Sequence, residues 1–558
     1  MKKLLKKTMC IVLGIVTAFT CMAFTGCQRE AGPDRDDSML QLNIQIYDGG
    51  FGVDYANSWK SRFESQFADY VSPDGSTKGV QIWITPTKEC SGNSLATSTQ
   101  SWRDDVYIPI NMSVYNTLAK SGAMLDLTDV ITKEKLPGEN VTIWEKLNST
   151  YKGWHEVDGK VYGVPLYESS TGIAYDVDLF DDYYLYVNKE YENDSDPYKK
   201  FSSNLTDTNR AEGPDGIPNT GDDGLPKTYD EFFELCDYMT ELGITPFLWA
   251  GKLQNYVSAF LQNLYADNAG LENLNAQYNF TGKTDIVTGF DADGEPIVSN
   301  VELNADNGYQ VFKQPGRYYA LEFINKIVSS KNYYNYNDCF GSVLDHLGAQ
   351  EKYIYSAKST QRIAFLIEGN YWYNEALGAR QDFVEEYPEE ADHRYGMLYF
   401  PKAREGMEGN MMVLDQALSC AFINANIDPN KIEIAKEFYK FIFTNQSLSD
   451  FTRITSTTSP FDYTMTKEEL AQTSYLGQQM YDIHKSGGYY LPLNNNPMMI
   501  KNIVILKESE FFSTGGEKVP TLAFKNYVYS DGATGLTPQE YFNKNAKYYE
   551  DSWAQMKI

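Results

Sequence analysis

LQLNIQIYDGG, residues 40–50, decides the class of fold. Leu40, Leu42, Ile44 and Ile46 alternate with Gln41, Asn43, Gln45 and Tyr47, so one face of an extended segment is apolar and the other polar. Asp48-Gly49-Gly50 then ends the strand with residues that favour a turn. The period changes after it. Ala56, Trp59, Phe63 and Phe67 recur at helical spacing, Val80, Ile82 and Ile84 mark a second strand, and Asp105-Val106-Tyr107-Ile108-Pro109 makes a short third one. Val114 to Lys120 reads as a helix, with Gly122 just past its end where a left-handed cap is needed. Strands alternating with helices predict an α/β fold with a largely parallel sheet.

The same grammar returns farther along. After Pro226, Thr228-Tyr229-Asp230-Glu231 reads as a capping box, Thr228 accepting from the Glu231 amide while the Glu231 side chain returns the bond. That helix runs to about Leu242 and stops at Gly243; Ile244 to Trp249 is the next strand, and its end delivers Trp249 to a loop. Asp428-Pro429 starts another helix, with Ala435, Phe438, Phe441 and Ile442 on one face. No internal repeat is visible.

Working back to the beginning of the chain, Lys2, Lys3, Lys6 and Lys7 precede an apolar run from Cys10 to about Phe24. The run is roughly 15 residues, short of the roughly 20 a membrane-spanning helix needs, and it ends in small residues, as a secretory signal does. Phe24-Thr25-Gly26-Cys27 resembles the bacterial lipobox, in which the cysteine receives a diacylglycerol thioether and becomes the new N-terminus; ordinary secretory cleavage near Ala23 is the competing reading. Residues 1–26 are thus the expected lipoprotein signal peptide and 27–39 a lipid-anchored flexible tether.

Composition narrows what the mature chain can do. Of 48 Lys and Arg the signal segment takes four, leaving 44 against 76 Asp and Glu, a net charge of −32. Such a surface repels nucleic acid and anionic headgroups. The length suits two or more lobes. With 43 Tyr, 29 Phe and 8 Trp, aromatics are 14% of residues, enough to build cores and still line a cleft for a polar ligand.

Cysteine and histidine point away from the commonest chemistries. Cys90, Cys236, Cys339 and Cys420 lie far apart with no CxxC spacing, so zinc is not indicated, while a disulfide among them stays open. Cys236, among Phe232, Phe233, Leu235 and Met239, reads as a buried thiol. His155, His346, His393 and His484 form no HExxH pair, and no GxSxG elbow occurs. Paired carboxylates of a glycosidase cannot be singled out among 76 acids.

Four segments carry a resemblance that periodicity alone does not supply. DDVYIPINMSVYNTLAKSGAMLDLTDVI (104–131), GKVYGVPLYESSTGIAYDVDLF (159–180), AFLIEGNYWYNEA (364–376) and LSCAFINANIDPNKIEIAKEFYKFIF (418–443) resemble, in order, hallmarks of family 1 extracellular solute-binding proteins. The resemblance implies a type II periplasmic-binding-protein-like fold, two α/β lobes joined by crossing segments with ligand held between them. The chain should cross near Val164-Pro165, return near Phe400-Pro401 and cross again near Ser459-Pro460. Residues 40–164 with 402–459 would form the N-terminal lobe, and 165–401 with 460–558 the C-terminal lobe. Residues 185–226 and 270–310 exceed the family's simplest pattern and are expected to shape one rim of the cleft.

Carried over by position, Asp48 and Gly49 match the loop after the first strand, Asn111 the loop after the third, and Glu168, Ser169 and Ser170 the first crossing segment. Tyr371 and Trp372 fall where the Gly-x-Trp pattern places a stacking aromatic; Trp249 and Tyr256 are further candidates. Core packing competes for each aromatic, and a solvated turn or backbone cap for Asp48 and Glu168. The implied protein is no enzyme and needs no cofactor: a monomeric lipoprotein on the outer face of the cytoplasmic membrane. It would capture a carbohydrate by hinge closure and present it to ABC permease subunits. An oligopeptide-binding lipoprotein and a secreted glycoside hydrolase are the rivals. One loop adds a separate expectation. GPDGIPNTGDDG (213–224) sets Asp215, Asn219, Asp222 and Asp223 among glycines in the manner of a calcium loop, though it lacks the EF-hand order and a plain acidic turn competes.

Overall fold

The computed structural model describes residues 35–557 apart from 193, 202–205, 207, 408–410, 417, 504, 507–510 and 517–518; the signal segment, Cys27 and most of the tether lie outside the described residues. Among the described residues no helix is long and apolar enough to cross a membrane.

Alternation along Leu40–Tyr47 sends Leu42, Ile44 and Ile46 into a core where each is at most 1% exposed. This strand pairs in parallel with Val80–Thr87 on one side and Val106–Ile108 on the other. Ala421–Ile423 and Gly163–Val164 complete a five-stranded sheet, entering antiparallel. Helix Asp54–Gln66 covers one face because Tyr55, Ala56, Trp59 and Phe63 share a side. Phe63 meets Phe438 and Phe441 of helix Ile432–Ile442 with ring centroids 5.2 and 5.3 Å apart. Each such fully buried ring stabilises the lobe by about 1.5–3 kcal/mol. Gly122 takes φ +75° past helix Tyr115–Lys120, the left-handed cap its spacing required.

A second sheet, of four strands, is built from the middle of the chain in the order Tyr395–Met397, Thr171–Asp176, Ile363–Gly369, Thr245–Leu248. Only its last two strands are parallel. The expected parallel character therefore holds for the first sheet's leading strands and not for this one, whose strands pair without βαβ crossovers between most neighbours. Helix Tyr229–Glu241 starts at Thr228, which accepts from the Glu231 amide at 3.3 Å, but the Glu231 carboxylate reaches the amide of Lys227 at 2.7 Å and not that of Thr228. The box closes one residue early. Asn255–Asn279 breaks at Gly270, where φ is 72° and ψ 169°, and leads into the antiparallel hairpin Gly282–Phe290 and Pro296–Leu303.

Three segments connect the sheets side by side. The Glu168 amide donates to Thr458 O at 2.9 Å, and Leu166 N donates to Ser419 Oγ at 3.1 Å. Ser169 N donates to Asp415 Oδ1 at 3.1 Å, while Gln416 N returns to Ser169 O at 2.9 Å. These bonds set Asp415, Gln416 and Ser419 beside the first crossing segment. Lys402 is tied to Asp267 in a buried ion pair at 2.5 Å, and Val413–Leu414 pairs with Tyr489–Tyr490.

Candidate ligand-binding cleft

A cavity of about 350 Å³ lies between the two lobes. The first lobe brings to it the ends of its three parallel strands: Tyr47, Gly49, Gly50 and Phe51 after the first, Lys88 after the second, Ile110 and Asn111 after the third. Carboxyl ends of parallel strands are where α/β sheets hold ligands. Asn111 has φ +58°, and its loop sits so close to the start of helix Gly92–Thr97 that a Cβ on Gly92 would lie 2.3 Å from Asn111 O. The second lobe supplies Asn255, Tyr256 and Ala259 from the start of one helix, His346 from another, and Tyr371 and Glu375 from the turn after Ile363–Gly369. Ser169, Thr171 and Gln416 form the back.

Tyr371 is half-buried and packs by its ring against two glycines. A Cβ would lie 2.3 Å from that ring at Gly369 and 2.6 Å from it at Gly50, one glycine from each lobe. Phe51 meets it at 5.8 Å, edge to face. Burial first, then Glu368 and a hydrogen bond shared with Tyr256, hold its phenol well above the usual range, so it is neutral. Tyr256 in turn lies near-parallel to His346, centroids 6.1 Å apart. Glu375, 14% exposed, accepts from Gln350 Nε2 at 2.9 Å and stands 3.7 Å from His346 Nε2. Behind it Glu368 is sealed from solvent, accepting from Gly369 N at 2.9 Å and Gln350 Nε2 at 3.4 Å; burial raises its carboxyl well above the carboxylate range. Among the described residues Glu375 is the one carboxylate on the cavity wall.

Of the residues expected from sequence, Gly49, Asn111, Ser169, Tyr256 and Tyr371 line the cavity. The others do not. Trp372 is fully buried among Tyr353, Tyr373 and Tyr395, and Trp249 is fully buried against Tyr334 and Phe340. Both are core because their rings point back into the second lobe. Asp48 is exposed outside the wall. Glu168, also fully buried, faces the crossing segments, accepts from Tyr151 Oη at 3.2 Å and Thr458 Oγ1 at 2.9 Å, and lies 3.1 Å from His484 Nδ1. Ser170 is bonded to Asn370 through N and O. Sequence reasoning missed Tyr47, Gly50, Phe51, Lys88, Thr171, Asn255, His346, Glu375 and Gln416. Glu375 could have been found, standing one helical turn after Tyr371; Asn255 and His346 carry no local signal.

Among the described residues, none of 185–226 or 270–310 lines this cavity. In the acidic loop the carboxylates are occupied by the loop's own backbone. Asp222 Oδ2 accepts from Asp215 N at 2.9 Å, Asp215 Oδ1 from Ile217 N at 2.7 Å and Asp223 Oδ2 from Asn219 N at 2.8 Å. Asn219 sits at φ +66°, and burial lifts the Asp222 carboxyl to about 6. Among the described residues no group of three or more His, Cys, Asp or Glu is placed to hold a metal ion, and Asp215, Asp222 and Asp223 cap backbone amides of their own loop. Cys90, Cys236, Cys339 and Cys420 are free and buried.

The profile of the bacterial extracellular solute-binding protein family matches residues 94–474, more than half of the chain. The chain belongs to that family. Among solved structures the solute-binding protein resembles one from work on xylan utilization by the thermophilic bacterium Caldanaerobius polysaccharolyticus, at a TM-score of 0.54 and 12% identity, with 91% of this chain and 99% of that one covered. It also resembles apo RafE from Streptococcus pneumoniae, at 0.51 and 13%, covering 94% and 100%, and a chitin oligosaccharide binding protein, at 0.51 and 15%, covering 93% and 100%. At these identities the likeness is one of fold: the two-lobed, type II arrangement. No curated protein sequence matches the chain.

Proposed function

We propose that the protein is the substrate-binding lipoprotein of an ABC importer and captures a carbohydrate between its lobes without transforming it. The observation that carries this reading is the make-up of the cavity wall. Rings of Tyr47, Phe51, Tyr256 and Tyr371 offer flat apolar faces to sugar C–H groups, while Asn111, Asn255, Gln416, Ser169 and Glu375 offer amides, a hydroxyl and one carboxylate to sugar hydroxyls. Two structures of like fold come from proteins named for xylan utilization and for chitin oligosaccharide binding, which accords with it. A glycosidase would need two carboxyl groups flanking a bond, and Glu368, the neighbour of Glu375, is sealed behind Gln350.

Closure moves no bonds. Ligand contacts to both lobes favour the form in which the walls meet, and the crossing segments take up the rotation. The division we favour places 40–164 in the N-terminal lobe, with the boundary of the return at 415–419. Isothermal titration against panels of oligosaccharides and peptides tests the substrate class. A glycan should bind, and Tyr371→Ala should weaken it about tenfold or more, roughly 1.4 kcal/mol. Peptide binding with no glycan binding would overturn the reading.

Cys27, as the acylated residue, would hold the protein on the outer face of the cytoplasmic membrane beside its permease, two acyl chains sufficing for stable attachment. Cys27→Ser should leave precursor or shed protein. A variant that stays in the membrane fraction at the processed mass would rule out the lipid anchor.

A further inference from the structure

The walls of the cavity touch as well as face each other. Asn374 Nδ2 donates to Gly50 O at 3.3 Å, the ring of Tyr371 lies against Gly50, and a Cβ on Gly52 would come 3.0 Å from Asn374 Nδ2. Along this edge, first-lobe backbone meets second-lobe side chains because glycines leave nothing between them. The crossing segments, through Ser169 and Gln416, shut the back. The lobes meet a second time where Asn116 donates to Asn495 Oδ1 at 3.3 Å and Asn495 donates to Glu156 O. A polysaccharide bound by its interior needs a groove open at both ends, and a lobe-to-lobe contact beside the cavity, such as Gly50–Tyr371–Asn374, works against that.

Size points the same way. A cavity of about 350 Å³ is at the small end of the roughly 300–1,000 Å³ typical of ligand pockets, room for about two sugar rings. The stop also carries the one carboxylate that the described residues place on the wall. Glu375 follows Asn374 directly, accepts from Gln350 on one side, and turns its other oxygen to the cavity beside His346. The last residue of a glycan has a hydroxyl that every internal residue has lost to a glycosidic bond. An acceptor placed at a dead end rewards that hydroxyl, and a site built to bond a hydroxyl strongly rejects a ligand that lacks it.

Resting on the carbohydrate reading above, we infer that the cleft is end-stopped and takes a short glycan whole, terminal residue against Tyr371 and Glu375, in preference to an internal stretch of a long chain. The stop is the contact of Tyr371 and Asn374 with Gly50, and Glu375 is the residue that reads the chain end.

Titration with malto-, cello-, xylo- and raffinose-series sugars of one to six residues tests this on the full mature chain. Within whichever series binds, affinity should peak at two or three residues and fall about tenfold or more by six. Asn374→Ala, checked for folding by its melting curve, should recover about fivefold or more of the six-residue affinity by opening the stop, and Glu375→Gln should reduce the preference for the short members. Six-residue sugars bound as tightly as two-residue ones by the unaltered protein would overturn the inference. An unchanged length limit in Asn374→Ala would overturn the stop. Binding of no glycan of any length would overturn the carbohydrate reading itself and this inference with it, a different pattern from a flat length series.

Discussion

Two regions of this molecule crowd polar side chains out of solvent, and they do opposite things with them. Around the crossing segments, Glu168, Thr458, Ser419 and Asp415 bond to one another's strands and to Tyr151 and His484, leaving no surface for a ligand to touch. At the cavity, Ser169, Gln416 and Glu375 stand on the wall, where a ligand can reach them. Neighbours fall on opposite sides of this division: Glu168 and Ser169, Tyr371 and Trp372. Inward polar groups hold the shape, and only the remainder can recognise anything.

Substitutions should separate the two regions by what they change. The largest effect should come from Trp372→Ala, which removes a fully buried ring and should cost about 3–5 kcal/mol of stability, read as a fall in denaturation midpoint, while the folded fraction keeps its sugar affinity. Affinity falling in step with stability would join Trp372 to the site. Glu168→Ala should come next, at about 3 kcal/mol, since it leaves three buried polar groups without their partner. Its melting temperature should drop with little change in ligand affinity measured well below the transition.

A third polar cluster sharpens the contrast through pH. His393, 6% exposed on its side chain, bonds Asp176 at 2.9 Å and Glu390 at 2.8 Å. Burial opposes its charge, but Asp176, Glu390 and Asp178 outweigh it and raise the imidazole from 6.5 to about 9. Because the folded value lies above the unfolded one, this stabilisation is complete below pH 6.5 and is lost as pH climbs through 9. It should amount to on the order of 3 kcal/mol. His393→Gln should flatten that limb of the stability profile and leave glycan affinity unmoved. Smallest in energy, and opposite in kind, is the tenfold affinity loss expected of Tyr371→Ala at modest cost in stability.

What could be read from sequence was what neighbours decide. The strand at 40–47, the cap at Gly122, and the N-caps Thr228 and Asp428 depend on residues within one turn, and all stand where expected. The capping box failed in one detail because the Lys227 amide competes with that of Thr228 for Glu231. Rotation about a helix is harder. Successive residues of a helix point about 100° apart, so the turn after Gly369 sends Tyr371 to the cleft and Trp372 to the core, and spacing from a glycine cannot say which. The bonds of Asp415 and Ser419 to the first crossing segment lie beyond any local pattern, since they act on residues some 250 positions away. His346 and Asn255 join the site by the same long reach.

The four buried cysteines have a use beyond packing. Burial raises every one of these thiols above its ordinary range, so among the described residues the native protein presents no reactive thiolate. A soluble chain begun at residue 35 and carrying Asp48→Cys would therefore take a maleimide dye at one position, on the exposed rim of the cleft. Its emission would report each capture as the opposite wall approaches, making the protein a reagentless fluorescent sensor for whatever it binds.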